Sequence, residues 1–164
     1  MKTIKRTVIL LLISSLFYVV SGNSCALAQA PVIKKENARR SIQKTAFVIK
    51  KAHTKVKEGK VYTGNLARAV SHQRYAKKFY LEGEYRRSMY FSRRARALAI
   101  LAIKANKGTE TEDMLGSKEE DEMLKGAPSD EQLDAELLRI MPSEPQKDED
   151  IINSDLDISL KDNQ

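Results

Sequence analysis

The side chains in this sequence that could bind a metal or move a proton are few and scattered. Two histidines, His53 and His72, lie on what the apolar periodicity predicts to be different helices. A zinc site takes about three protein ligands, and a catalytic histidine needs an orienting group beside it. The basic region around these histidines contains only four acids. We therefore expect both histidines at a helix boundary or on the surface.

The acidic C-terminal segment offers carboxylates but no recognisable cation loop. The runs at residues 148–150 and 155–157 lack the spaced oxygen ligands and central glycine of an EF-hand. Glycine-rich phosphate loops, nucleophile elbows and the HExxH pattern are also absent from the sequence. We expect a protein that is not an enzyme and that uses no cofactor and no metal.

Residues 1–28 have the order of a secretory signal peptide. A basic start is followed by an apolar run over residues 8–20 and then by small residues. The run is shorter than the roughly 20 residues that a membrane span needs. Cleavage after Ala28 or after Ala30 would fit; since Pro31 would hinder the second, we favour a mature start at Gln29. The sequence predicts an exported protein, periplasmic or secreted.

The only cysteine, Cys25, is removed by the favoured cleavage. A rival interpretation makes Cys25 the lipidated first residue of an envelope-anchored protein, although residues 22–24 lack the aliphatic residue usual three positions upstream. Membrane anchoring is expected only in that case. Otherwise the mature chain has no cysteine, which excludes disulfides, thiolate catalysis and cysteine-bound zinc.

The charges are sorted along the chain. Residues 31–107 contain 21 Lys and Arg against 4 acids, a net charge of +17, whereas residues 108–164 contain 5 against 18, a net charge of −13. The overall net charge of +7 conceals this division. Such a distribution governs association and steering rather than a reaction.

Apolar residues recur at helical spacing over residues 32–107, and strand-like runs are absent. We predict an all-α fold, a small three-helix bundle or helical hairpin with a disordered acidic C-terminal tail. The helices are expected near residues 34–57, 65–82 with Asn65 as N-cap, and 84–106. The predicted core faces of the first two are Ile42, Ala46, Ile49, Ala52, Val56, and Leu66, Ala69, Val70, Ala76, Phe79, Tyr80.

The third predicted helix has two different faces. Its core face contains Tyr85, Met89, Ser92, Ala99 and Ile103, with Ser88 and Ala95 alongside. Opposite lies a basic stripe, which we define as Arg86, Arg87, Arg93 and Arg94 with Tyr90 among them. Residues 97–103 are apolar on every side, so Leu101 continues the stripe with an apolar side chain. A helix segment of this kind is normally covered on every side, and we expect Leu101 to pack against another element or a partner. The predicted partner-binding residues are therefore Arg86, Arg87, Tyr90, Arg93, Arg94 and Leu101.

Residues 108–164 are acidic and lack aromatic side chains, which is typical of disorder. One short helix is predicted near residues 130–141, because Ser129 and Gln132 have capping-box spacing ahead of an amphipathic run. Its apolar residues Leu133, Leu137 and Ile140 are expected to dock on the apolar end of the third helix, and its acids to mask the basic stripe. A tether supplies an effective concentration on the order of millimolar, so several weak contacts suffice.

The segment from residue 72 to 99 resembles a single helical hairpin of the tetratricopeptide-repeat type. The resemblance rests on Ala76 and Phe79, the turn at 83–85, and small residues at Ser88 and Ala95. Ser92 departs from the pattern, where a bulky residue is usual, and no second copy is evident. The resemblance implies a scaffold that binds peptides or proteins, with no catalytic residues.

Two functions are compatible with these patterns. The first is an exported helical adaptor that binds a protein or peptide partner and whose acidic tail masks its basic face. The second is an envelope-associated binder of anionic polymers or of a membrane surface. Export makes intracellular nucleic acid an unsuitable partner, although the basic residues and tyrosines could bind one.

Overall fold

The structure is a computed structural model that describes residues 33–141 and 147–161. The predicted signal peptide, its cleavage positions and Cys25 lie outside the described residues. Three long helices form the bundle: α1 (Lys35–Gly59), α2 (Asn65–Leu81) and α3 (Tyr85–Ala105). These bounds agree closely with the predicted ones, and the all-α prediction is confirmed.

The predicted core faces of the three long helices are buried. All five core residues of α1 and all six of α2 lie in the interior, as do Met89, Ser92, Ala99 and Ile103 of α3. Tyr85 is only half-buried, since it begins α3 at the edge of the bundle. None of the helices in the described part of the chain is long and apolar enough to cross a membrane.

Left-handed backbone ends two of the helices. Lys60 has φ 54° behind α1, and Lys107 has φ 57° behind α3. At the second position the amide of Gly108 donates to the carbonyl of Ile103 at 2.9 Å, which closes the last turn. The left-handed conformation costs a residue with a side chain roughly 1–2 kcal/mol of conformational energy, so glycine would be less strained than lysine at both positions.

The acidic segment has more structure than the sequence predicts. A 3₁₀ turn (Glu112–Met114) precedes three short helices, α4 (Lys118–Met123), α5 (Asp130–Ile140) and α6 (Asp148–Ile152). Helix α5 confirms the short helix predicted near residues 130–141, including its capping box between Ser129 and Gln132. Outside α5, the segment was expected to be disordered, but it contributes side chains to the core at Met114, Leu124, Ile151, Ile158 and Leu160.

The core is divided into two apolar clusters along the bundle. One cluster joins the C-terminal halves of α1 and α3 with the start of α2, and the tail adds Met114, Ile151 and Ile158 to it. The other is aromatic, contains Phe79 and Phe91 with ring centroids 5.1 Å apart, and receives Leu133 and Leu137. Because both clusters include residues from beyond 108, the tail completes the core at both ends.

Candidate functional site on the third helix

Helix α5 lies across the basic stripe of α3. Arg94 binds Asp134 through two hydrogen bonds, Nε to Oδ1 at 3.0 Å and Nη2 to Oδ2 at 2.6 Å, and its Nη1 donates to Asp130 Oδ2 at 2.6 Å. Arg87 Nη2 donates to Glu136 Oε1 at 2.5 Å. Bidentate arginine–carboxylate pairs are strong and geometrically specific. These contacts therefore set the position of α5 along the third helix.

The apolar side of α5 packs beneath these ion pairs. Leu137 is 7% exposed and Leu133 is fully buried, both in the aromatic cluster, and Ile140 is half-buried against it. Leu138, the next residue along, is 61% exposed. The predicted docking side chains thus do contact the bundle, but on the aromatic cluster rather than on the apolar end of α3. The ion pairs of Glu136 with Arg87 and of Asp134 with Arg94 hold α5 beside the aromatic cluster, ahead of the apolar end of α3.

The other predicted partner-binding residues have different environments. Arg93 approaches Asp130 at 3.9 Å, and Arg86 Nη1 lies 3.5 Å from the hydroxyl of Tyr90. Tyr90 was expected on the exposed stripe but is buried in the aromatic cluster. Leu101, in contrast, is 48% exposed. The structure therefore brings Arg87, Arg93 and Arg94 together with acidic residues of α5 and leaves Leu101 exposed.

A histidine completes the charged contact between α2, α3 and α5. His72 is fully buried, and its Nε2 lies 2.9 Å from Asp134 Oδ1. Because an ionised carboxylate only accepts, the neutral ring carries its proton on Nε2 and donates it to this bond. Asp134 also accepts a hydrogen bond from Arg68. The expectation of a surface or helix-boundary position is wrong for His72, since α5 covers this part of α2.

Burial sets the ionisation state of this cluster. It lowers the pKa of His72 to about 4, and the bond to Asp134 opposes this change only in part. Burial alone would raise the pKa of Asp134, but the hydrogen bond from Arg94 and the charges of Arg68 and Arg94 hold it below its ordinary value. At neutral pH a neutral histidine and two arginines therefore share one carboxylate.

The contacts of this cluster hold α5 on the bundle. The nearby Ser71 hydroxyl donates to the carbonyl of Ala67 at 3.0 Å and is not aligned by His72. A cavity of about 200 Å³ lies beside the pair, lined in part by Leu137, Leu138 and Met141. It is smaller than the usual range for small-molecule pockets, about 300–1,000 Å³. Across residues 33–141 and 147–161 no group of three or more potential ligands could hold a metal ion.

Outside α5, another acid of the tail pairs with a buried arginine. Arg96 and Glu120 are both buried, with Arg96 Nη2 2.6 Å from Glu120 Oε1. The same carboxylate oxygen accepts from the hydroxyl of Ser41 at 2.7 Å. The position of Arg96 beside the core face of α3 is visible in the sequence, and a guanidinium that is buried there is destabilising without a charged partner. The sequence does not identify Glu120 as that partner.

The tail also caps a helix of the bundle. Asn65 was expected to be the N-cap of α2, but the helix starts behind Gly64 without a side-chain cap of its own. Instead Asp148 Oδ2 accepts from the amides of Thr63 and Gly64 at 2.8 and 2.7 Å, and its Oδ1 accepts from the amide of Ala67 at 2.8 Å. A carboxylate at a helix N-terminus satisfies free amides and the helix dipole together. No local pattern in the sequence connects residues so far apart.

Two further contacts tie the end of the tail to α2. The buried amide of Gln73 donates to the carbonyls of Ile42 and Ile158 at 2.9 and 3.1 Å. Lys77 Nζ lies 2.8 Å from Asp157 Oδ1. Residues 148–161 are therefore held by both backbone and side-chain groups of α2.

The hairpin of α2 and α3 contains the residues on which the tetratricopeptide-repeat resemblance rests. Ala76, Phe79, Ser88 and Ala95 are all buried in it. No second hairpin of this kind is evident in the described ranges. The resemblance therefore stays a prediction. No protein-family model, curated protein or solved structure matches this chain.

Proposed function

We propose that this protein is an exported, non-enzymatic helical adaptor that binds an acidic protein or peptide segment. Its own helix α5 occupies the basic stripe as an internal ligand. One observation supports this above all: Asp130, Asp134 and Glu136 pair with stripe arginines while Leu133 and Leu137 are buried beneath. An amphipathic helix laid into a groove is a common mode of peptide recognition.

The contacts of α5 favour local release. The helix has 11 residues, a length at which an isolated helix is marginal in water. Its two buried leucines contribute about 1.5–3 kcal/mol each, and the ordering of the helix offsets part of that. Residues on both sides of α5 are anchored separately, through Glu120 and Asp148. A partner can therefore displace α5 while the bundle stays folded.

The experiment uses a labelled peptide with the sequence of residues 129–141 as the acidic ligand. We expect weak binding to the unaltered chain, because α5 competes at an effective concentration on the order of millimolar. Leu137→Ala loosens α5 and should tighten peptide binding about thirtyfold, since a buried leucine contributes about 2 kcal/mol. Fluorescence anisotropy measures this.

The matched control is Leu138→Ala, which removes the same atoms from the exposed neighbour on the same helix. It should leave the affinity unchanged. Glu136→Gln gives a second route, because it removes an acid of α5 without opening a cavity. Equal affinity of all four proteins for the peptide would contradict the proposal.

The alternative, an envelope-associated binder of anionic polymers, has one observation in its favour. Exposed basic side chains lie along α1 and at its N-cap, at Lys34, Lys35, Arg40, Lys50, Lys55 and Lys57. Repeating the titration at rising salt separates the two functions. Binding of inorganic polyphosphate, titrated in parallel, should fall linearly in log salt concentration until little remains. The acidic peptide also loses its ion-pair contribution, but it should keep the affinity that its buried leucines supply.

A further inference from the structure

A groove between α1 and the segment that follows α3 combines lysines with apolar side chains. Its volume is about 580 Å³, within the range of ligand-binding clefts. Phe47, 45% exposed, lies at its edge, and Ile103 and Met114 contribute apolar surface from the core. We call this surface the lysine groove; its charged lining residues are Lys50, Lys51, Lys55 and Lys107.

The electrostatics of the lysine groove are one-sided. Its lining contains four lysines and no acid. Lys51 is paired with Asp113 at 3.0 Å and Lys55 with Glu58 at 2.9 Å. Lys50 and Lys107 are exposed and form no ion pair with any residue that the structure describes. The groove thus presents uncompensated positive charge beside apolar surface.

The backbone at Lys107 supports a role in binding. This lysine has φ 57°, a conformation in which glycine is less strained. Gly108 beside it has no room for a side chain, because a Cβ there would overlap Ile103. The left-handed turn ends α3 and places the exposed, unpaired Lys107 at the rim of the groove.

We propose that the lysine groove binds an acidic segment of a partner protein through one large apolar side chain flanked by carboxylates. This inference rests on the proposed adaptor function and adds a second surface to it, since α5 already covers the basic stripe. Charge complementarity assigns the acids to Lys50 and Lys107, and the apolar side chain packs on Phe47. A purely anionic polymer would leave this apolar surface unused.

The probe is a fluorescein-labelled nonapeptide with a central phenylalanine, three Asp or Glu residues on each side and serine at both ends. We expect saturable binding to the full chain below about 1 mM. Replacing the central phenylalanine by serine should weaken binding about tenfold, because the apolar contact is lost. Inorganic polyphosphate serves as the polymer probe and should compete poorly at 0.15 M salt.

The decisive variants are Lys107→Gly and Lys60→Gly. Both lysines have left-handed backbone and are exposed, but only Lys107 lines the groove. Both changes remove one charge and relieve backbone strain, so both proteins should fold at least as well as the unaltered chain. Lys107→Gly should weaken peptide binding about fivefold, as expected for one lost charge contact, and Lys60→Gly should leave it unchanged.

Several outcomes would overturn the inference. They are absence of saturable binding, equal weakening by the two glycine variants, and polyphosphate that outcompetes the peptide regardless of its phenylalanine. If Lys107→Gly leaves the affinity for the nonapeptide unchanged and Leu137→Ala raises it, the basic stripe is the acidic-peptide site. In that case the proposed function stands and the lysine groove does not.

Discussion

At the scale of single residues, the buried pair of His72 and Asp134 makes stability depend on pH. The folded pKa of His72 is about 4, below its ordinary value of 6.5, so the unfolded chain binds this proton more readily. The groups that face the ring are Asp134, Arg68 and Arg94, and both arginines disfavour its protonation. The stability that depends on a neutral ring is complete above pH 6.5 and is lost as the pH falls toward 4. The depressed pKa of Asp134 acts in the same direction.

Lowering the pH from 7 to 4.5 should reduce the unfolding free energy by about 2 kcal/mol. This figure follows from the two pKa values of His72, about 4 in the folded chain and 6.5 ordinarily. Urea unfolding at the two pH values measures it. His72→Gln keeps a donor for Asp134 but cannot be protonated, so this variant should lose about 2 kcal/mol less than the unaltered chain. An identical loss in both proteins would show that His72 does not contribute.

Sequence reasoning succeeded at residues whose neighbours lie on the same helix. The core faces of α1 and α2 follow from spacings of three and four, and they are buried as predicted. It failed at His72 and Tyr90, which the pattern places at a surface. His72 bonds to Asp134 of α5, and Tyr90 lies in the aromatic cluster that also contains Leu133 and Leu137 of α5. The distance along the chain to α5 leaves no local pattern that would show either arrangement.

At the scale of elements, α2 depends on the tail for its first turn. Asp148 is buried and accepts three amide hydrogen bonds at the start of this helix with both of its oxygens. An asparagine has one acceptor oxygen and no charge, so it cannot replace these bonds. We therefore expect α2 and residues 147–161 to unfold together.

We expect Asp148→Asn to lower the unfolding free energy by about 1.5–3 kcal/mol, the contribution of a charged hydrogen bond. Hydrogen exchange at the amides of Thr63, Gly64 and Ala67 should accelerate as well. The control is Glu149→Gln, an adjacent exposed acid that should change neither quantity. If the two variants behave alike, the capping contact does not stabilise α2.

The elements themselves were predicted well because their signals are local. Helix α5 begins where the Ser129 and Gln132 capping box predicts, and the three long helices end within two residues of the predicted positions. The short helix α6 and the 3₁₀ turn were not predicted. Elements this short do not form from local preference and depend on the tertiary contacts that surround them.

At the scale of the whole molecule, the acidic segment is part of the folded structure wherever it is described. It adds apolar side chains to both core clusters and supplies Glu120 to the buried Arg96. The acidic segment therefore stabilises the bundle both through its charges and through its buried apolar side chains. Removing it changes more than the net charge of the protein.

We expect deletion of residues 108–164 to destabilise the bundle by at least about 3 kcal/mol, because the apolar side chains that the tail adds to both core clusters contribute about 1.5–3 kcal/mol each. Thermal unfolding followed by circular dichroism measures this, and light scattering should detect self-association through the uncovered apolar clusters.

A full-length variant separates charge from packing in this experiment. The combination Glu119→Gln, Glu149→Gln and Asp155→Asn neutralises three exposed acids and keeps every buried side chain. Its melting temperature should equal that of the unaltered protein. A truncated chain with the melting temperature of the full chain would show that the tail is dispensable for folding.

The division of charge, the all-α class, the three long helices and their inner faces follow from local patterns, because side chains three and four positions apart share a helix face. Where the acidic segment lies depends on contacts between distant positions, such as Arg94 with Asp134 and Asp148 with the first turn of α2. Composition is sufficient to predict attraction between the two halves. It does not specify which arginine meets which carboxylate, because that pairing depends on the shape of the folded bundle.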